Sequence, residues 1–225
     1  MPAIVAEQVS KSYRYTSVLH DVSFSVEGGQ CFVLFGANGA GKTTLLRILT
    51  TIQRPSGGRF SIAGFDGVTQ RQDVRDNIFL VTHGSHLYDE LSGAENLRFA
   101  LGLRGMHPDA AASSEALARV GLDRFADLKA RYYSSGMKKR LAFAKAMLIR
   151  PKVLFLDEPY AALDEKAMDM INVFIHELMA EGGAVLMCSH NRHKSSAVAS
   201  RAGVLRRGAM EEIGVAELTG RDEIL

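Results

Sequence analysis

The 225-residue sequence has no apolar run approaching the ~20 residues that cross a bilayer, so no membrane-spanning helix is expected. Its first residues, Met1-Pro2-Ala3-Ile4-Val5-Ala6-Glu7, carry neither a charged n-region nor an apolar h-region, so no secretory leader is expected either. Cysteine is scarce. Cys31 and Cys188 both sit in apolar runs and read as reduced core thiols, not as a disulfide or a metal site. Neither sign of charge prevails, with Lys+Arg 27 against Asp+Glu 25, so the global balance calls for neither nucleic acid nor an anionic membrane surface. Internal repeats and low-complexity tracts are missing. A hydrophobic fraction of 47% is ordinary for a globular chain, and the length suits one large domain or a domain with an inserted lobe. A soluble, cytosolic protein is expected.

What is present centres on Gly36-Ala37-Asn38-Gly39-Ala40-Gly41-Lys42-Thr43, which fits G-x-x-x-x-G-K-[ST] at every fixed position. The apolar run Cys31–Phe35 precedes it as a buried strand, and Thr44–Leu49 follows as a helix. Glycines at 36, 39 and 41 let successive N–H groups turn inward toward phosphate oxygens, where the helix N-terminus adds partial positive charge. Lys42 would reach the β- and γ-phosphates, and the Thr43 hydroxyl would bind Mg²⁺. The pattern predicts binding of a nucleoside triphosphate.

Along the rest of the chain, residues 3–35 read as strand-rich, and Arg59–Ala63 and Asn77–Val81 as further strands. Helical spacing appears over Glu95–Leu103, Ala110–Val120 and Gly136–Ile149. In the last segment Met137, Leu141, Ala144 and Leu148 form one stripe, with Lys138, Lys139 and Lys145 off it; Lys138-Lys139-Arg140 reads as a solvated face. Val153–Leu156 reads as a buried parallel strand, Glu165–Ala180 as an amphipathic helix with Ala167, Ile171, Phe174 and Leu178 inward, and Ala184–Cys188 as a strand. A hairpin turning near Arg207-Gly208 ends the pattern. The expected fold is α/β: a P-loop sheet with helices on both faces, an N-terminal antiparallel β subdomain and an inserted helical subdomain at about 84–150, within one domain.

A second constellation follows the strand at Val153–Leu156. Asp157 sits at its C-terminal end, where open α/β sheets bind ligands, and can hold Mg²⁺ directly or through water. Glu158 would then lie near the γ-phosphate, placed to orient and deprotonate a water. His83/His86 and His190/His193 each show H-x-x-H spacing, but no cysteine or third ligand accompanies either pair, so a zinc site is not expected. A guanine-reading N-K-x-D segment and a D-x-x-G switch are missing, which argues against a GTPase.

Over nearly its whole length the chain resembles the nucleotide-binding subunits of ATP-binding-cassette transporters. Gly36–Thr44, with Thr44 as its last residue, matches the family's Walker A motif, and Val153–Glu158 its Walker B motif. Ala162-Leu163-Asp164 matches the D-loop and Ser189-His190 the switch histidine. Lys11-Ser12-Tyr13 matches the stretch carrying the aromatic that stacks on adenine, with Tyr15 close enough to compete. The signature, usually L-S-G-G-Q, stands as Tyr133-Ser134-Ser135-Gly136-Met137, keeping the serine and the second glycine.

The resemblance implies an ATPase with ATP and Mg²⁺ as its cofactors. Glu158 would be the catalytic carboxylate, supported by His190 and Lys42, with Thr43 and Asp157 on the metal. It also implies a head-to-tail dimer in which Ser134, Ser135 and Gly136 approach ATP held by a second ATPase subunit. A polytopic membrane permease would be a separate chain, holding this one on the inner face of the cell membrane. The Tyr-Ser-Ser-Gly-Met form and His86–Leu91 are similar to the haem-exporter branch, which serves cytochrome c maturation. A non-transport ATPase of the same family, acting on ribosomes or DNA, is the alternative. The family's glutamine after the strand at Asn77–Val81 is missing; His83 or Gly84 holds its place, and His83 is the candidate to act beside the metal.

Overall fold

The computed structural model describes residues 1–82, 87–107 and 109–218, and among them ten strands and seven α-helices are present. In chain order these are β1 (Ile4–Tyr13), β2 (Thr16–Val26), β3 (Cys31–Phe35), α1 (Lys42–Leu49), β4 (Gly57–Ile62), β5 (Phe65–Asp66), α2 (Arg71–Asn77) and β6 (Ile78–Val81). There follow α3 (Gly93–Gly102), α4 (Ala110–Arg119), α5 (Ser135–Ile149), β7 (Val153–Asp157), α6 (Glu165–Ala180), β8 (Ala184–Cys188), α7 (Arg192–Ser196), β9 (Arg201–Arg206) and β10 (Ala209–Ile213). The chain divides into two compact units. One contains Met1–Leu80, Pro151–Glu158 and the chain from Ile175 on; the other contains Val81–Arg150 and Pro159–Phe174.

The first unit is built on sheets. A six-stranded sheet runs β10-β9-β3-β8-β7-β6, with β3 parallel to β8 and β9, and β7 parallel to β8. Every residue of β3 and β8 is buried, which is why these segments read as unbroken apolar runs and not as alternations. A four-stranded antiparallel sheet, β2-β1-β4-β5, accompanies it. Ile4, Val9, Leu19 and Val26 of the antiparallel sheet share one core with Phe32 and Leu34 of β3 and with Leu45 and Ile48 of α1. Arg201 ties the two sheets at the surface: its guanidinium donates to the Ser25 carbonyl at 2.7 Å, pairs with Glu212 at 2.8 Å and lies 5.6 Å from the Phe32 ring.

The second unit is helical. Each of its three main helices starts on a side-chain cap: Ser92 with Glu95 in a reciprocal box for α3, Asp109 for α4 and Ser134 for α5. Helix α5 departs from the single apolar stripe expected of it. Buried positions run continuously from Leu141 to Met147 and include Lys145, while Lys139 is buried two residues before that run. The reason is that α5 packs against both α3 and α4, so more than one face is covered. Nor is Lys138-Lys139-Arg140 a solvated face. Lys138 pairs with Asp89 at 2.9 Å, Arg140 donates to the carbonyls of Val120 and Gly121, and Lys139 is 5% exposed. Helix α2 escapes the sequence pattern, because Arg71–Asn77 buries only Val74 and so offers no periodicity.

Candidate functional site

The loop between β3 and α1 is shaped by its glycines and by what lies behind them. Gly39 and Gly41 take φ of 83° and 109°, the left-handed region that favours glycine. Behind Gly41 a Cβ would stand 2.8 Å from Leu19 Cδ2 and 3.1 Å from the Val18 carbonyl. Gly36 is needed for close approach, since its Cβ would lie 2.6 Å from the Leu205 carbonyl of β9. Lys42, the first residue of α1, is 7% exposed, and its ammonium bends back to donate to the carbonyls of Gly36 and Ala37. Loop amides and the N-terminus of α1 leave a positive concavity suited to phosphate.

The register of the parallel strands delivers the acidic pair. Asp157 ends β7 opposite Cys188 of β8, and its carboxylate accepts the Thr43 hydroxyl at 3.1 Å. Glu158, the next residue, adopts φ 49°, an uncommon conformation for a side-chain-bearing residue, and its N–H donates to the Cys188 carbonyl at 2.9 Å. The turn aims the Glu158 carboxylate at His190, which follows β8: Nδ1 lies 2.8 Å from Oε2, and the His190 N–H donates to the same oxygen at 3.4 Å. His190 is 65% exposed and Glu158 22%, so the carboxylate is the more sheltered partner.

Together Val18, Ala37, Asn38, Gly39, Gly41, Lys42, Thr43, Thr44, Asp157 and Glu158 line a cleft of about 220 Å³. A hard divalent cation fits the donor set there: one hydroxyl and one carboxylate, already within hydrogen-bond reach, offer oxygen only and leave further positions for phosphate and water. Among the described residues no group of three or more His, Cys, Asp or Glu could hold a metal by itself, the pair His190/His193 included.

Gly36 and Ala40 shape the loop without lining the cleft. Val18 lines it, a residue that sequence reasoning passes over because a β-strand valine carries no chemical signal. Tyr13 does not line it. Its hydroxyl instead shares a hydrogen bond with the Gln53 carboxamide, and the Lys11 ammonium lies 5.2 Å from its ring. Tyr15 projects fully into solvent. His83 lies outside the described residues. The cysteines are buried thiols, and burial pushes Cys31 up to about 12 and Cys188 well above its ordinary value.

Ser134, Ser135 and Gly136 belong to the helical unit. The Ser134 hydroxyl accepts from the Met137 N–H at 3.2 Å as the cap of α5. Gly136 has a local packing reason to be glycine: a Cβ there would stand 2.7 Å from the Ala162 carbonyl of the segment after β7.

Comparison with known proteins matches this arrangement to one family. The model of the ABC transporter family matches residues 19–161. The cytochrome c biogenesis ATP-binding export protein CcmA of Methylococcus capsulatus is 38% identical over 170 residues, 76% of this chain and 82% of that protein. The putrescine transport ATP-binding protein PotG of Escherichia coli is 31% identical over 219 residues, 96% of this chain and 58% of that protein. Among solved structures, an ATP-binding subunit of an ABC transporter superimposes with a TM-score of 0.86 at 26% identity, covering 94% of this chain and 90% of that one. The chain belongs to the ABC transporter family and is one of its ATPase subunits.

Proposed function

We propose that this ATPase powers an exporter of the haem-exporter type, working as a dimer on a separate polytopic permease at the inner face of the cell membrane. The observation that carries its chemistry is the Glu158 side chain lining the P-loop cleft, one residue beyond the Asp157 that accepts from the Thr43 hydroxyl and in contact with His190. Lys42 and the loop amides neutralise phosphate charge, Glu158 orients and deprotonates the attacking water, and His190 holds the Glu158 carboxylate. Thr43 and Asp157 would hold Mg²⁺, which when bound supplies charge neutralisation on the phosphates. His83 remains the candidate for the place of the missing glutamine beside the metal.

Two further features support the reading. The cleft is lined by residues of the sheet unit alone, while Ser134 and Ser135 stand at the start of a 15-residue helix in the other unit, available to the ATP of a second copy. We treat the two units as one ATPase domain with a helical insertion. Export is supported by CcmA proteins, of which a second, from Nitrosomonas europaea, is 35% identical over 84% of its length. Import is the competing reading, supported by PotG and by the sulfate/thiosulfate import protein CysA of Pseudomonas aeruginosa at 32% identity. No described helix is long and apolar enough to cross a membrane.

Glu158→Gln tests the chemistry. It preserves shape and removes the base, so hydrolysis falls by about 10²–10⁴-fold while ATP binding persists; near-normal turnover would overturn the assignment. Purification of the tagged Glu158→Gln protein from detergent-solubilised membranes tests the partner. A polytopic membrane protein should accompany it. Loss of covalently bound haem from c-type cytochromes on deletion separates the haem-type exporter from an importer, whose deletion would abolish uptake instead.

A further inference from the structure

Immediately before the signature serine stands a buried tyrosine that the catalytic description does not use. Tyr133 is 5% exposed, and its hydroxyl donates to the Phe125 carbonyl at 2.7 Å. Against the same hydroxyl lies Gly93, the first residue of α3: a Cβ on Gly93 would come within 2.3 Å of Tyr133 Oη and 3.3 Å of Cζ. The stretches of chain on either side are joined as well. Gly93 N–H donates to the Leu128 carbonyl, Ala94 N–H to Ala126, and Ala130 N–H to Leu91. Burial and the nearby Asp127 charge push the phenol up from its ordinary value, so it remains a donor throughout the working pH range. A leucine, usual at this place in the signature, fills space but cannot make the hydrogen bond.

We propose that Tyr133 is a positioning residue for the signature turn: its hydroxyl bond to Phe125 and its seat on Gly93 fix where Ser134 and the start of α5 stand relative to α3. The inference rests on the reading that Ser134 takes part in ATP turnover. Tyr133 and Gly93 form a matched pair. Gly93 has no positive φ, so its own backbone conformation would accept alanine; the closest obstacle is the tyrosine hydroxyl, with the Ala126 carbonyl a second, looser one at 3.3 Å.

The experiment compares Tyr133→Phe, Ser134→Arg, Gly93→Ala and the double variant Gly93→Ala/Tyr133→Leu with the parent and with Tyr133→Leu alone, measuring kcat, ATP affinity and melting temperature. Turnover is read well below the melting point of each protein. Tyr133→Phe keeps ATP affinity and loses kcat by roughly three- to tenfold, the scale of one buried hydrogen bond. Gly93→Ala damages stability and kcat in the parent protein. In the Tyr133→Leu background the same change costs much less, because the 2.3 Å approach to the hydroxyl is gone, the 3.3 Å approach to the Ala126 carbonyl needs only a small shift, and alanine favours a helix over glycine. If Ser134→Arg abolishes turnover while Tyr133→Phe lowers only the melting temperature and leaves kcat intact, the tyrosine is structural and the inference falls with the signature reading standing. If Gly93→Ala is equally harmful in the parent and in the Tyr133→Leu background, the matched pair is refuted. Full turnover by Ser134→Arg would remove the signature reading and this inference together.

Discussion

Lys145 gives the prediction whose magnitude follows most directly from the structure. It lies in the middle of α5, 5% exposed, and burial pushes its ammonium down from 10.5 to about 8. A lysine harder to protonate in the folded than in the unfolded state opposes folding wherever it carries its charge. At about 1.4 kcal/mol for each pKa unit, the depression corresponds to at most about 3.5 kcal/mol. The cost is full below pH 8, where both states hold the proton. Between pH 8 and 10.5 the folded state releases its proton first, so stability rises with pH and the cost fades; above 10.5 both states are neutral and it is gone.

Lys145→Met keeps an unbranched apolar stem in the same space and removes the charge. At pH 7 it should stabilise the protein by about 2–3 kcal/mol, or roughly 4–12 °C in melting temperature for a chain of this size. Urea unfolding of both proteins from about pH 6.5 to 10.5, with ATPase activity as a check of the fold, provides the assay. The stability difference should be constant up to about pH 8 and shrink toward zero by 10.5. Equal stability at pH 7, or a difference that does not diminish in alkali, would refute the argument.

Gly41→Ala should abolish ATP binding and destabilise the protein by about 2 kcal/mol or more, because φ 109° and a Leu19 contact at 2.8 Å both exclude a Cβ; equilibrium binding of a fluorescent nucleotide and a melting curve check this. Tyr13→Ala and Tyr15→Ala separate the two candidates for adenine stacking. With the Tyr13 hydroxyl held by Gln53, its ring is preorganised, so Tyr13→Ala should weaken ATP binding by roughly tenfold, on the scale of one lost base–aromatic stack, while leaving affinity for inorganic triphosphate unchanged; Tyr15→Ala should do little. A loss confined to Tyr15→Ala would reverse the assignment.

Much of the site is legible in the sequence because its signals are local. A P-loop needs glycine where the backbone turns left-handed and lysine at the helix start, and these requirements fall on consecutive residues. Strands β3, β7 and β8 declare themselves as short apolar runs, and α6 is legible at both ends, since its apolar positions and the glycines at 182 and 183 sit on one stretch of chain. The polar helix α2 gives no such signal, and α5 misleads because a helix covered on several sides loses the stripe that periodicity detects.

By itself the sequence determined the nucleotide-binding loop, the acid pair after β7 and the family, all carried by short motifs whose chemistry depends on neighbours in the chain. Tertiary structure alone decided the rest. Glu158 meets His190 only because β7 and β8 pair in parallel with Asp157 opposite Cys188, a register that no local pattern encodes. Val18 lines the cleft because β2 passes behind Gly41, and the Tyr13 hydroxyl is fixed by Gln53, forty residues on. Lys145 is buried in a helix that packs against two others, although a lysine's charge by itself would suit it to water. Residue types and spacing fix what a side chain can do; which partner it meets is set by long-range packing, whose free energy is shared over many contacts and written in no single stretch of sequence.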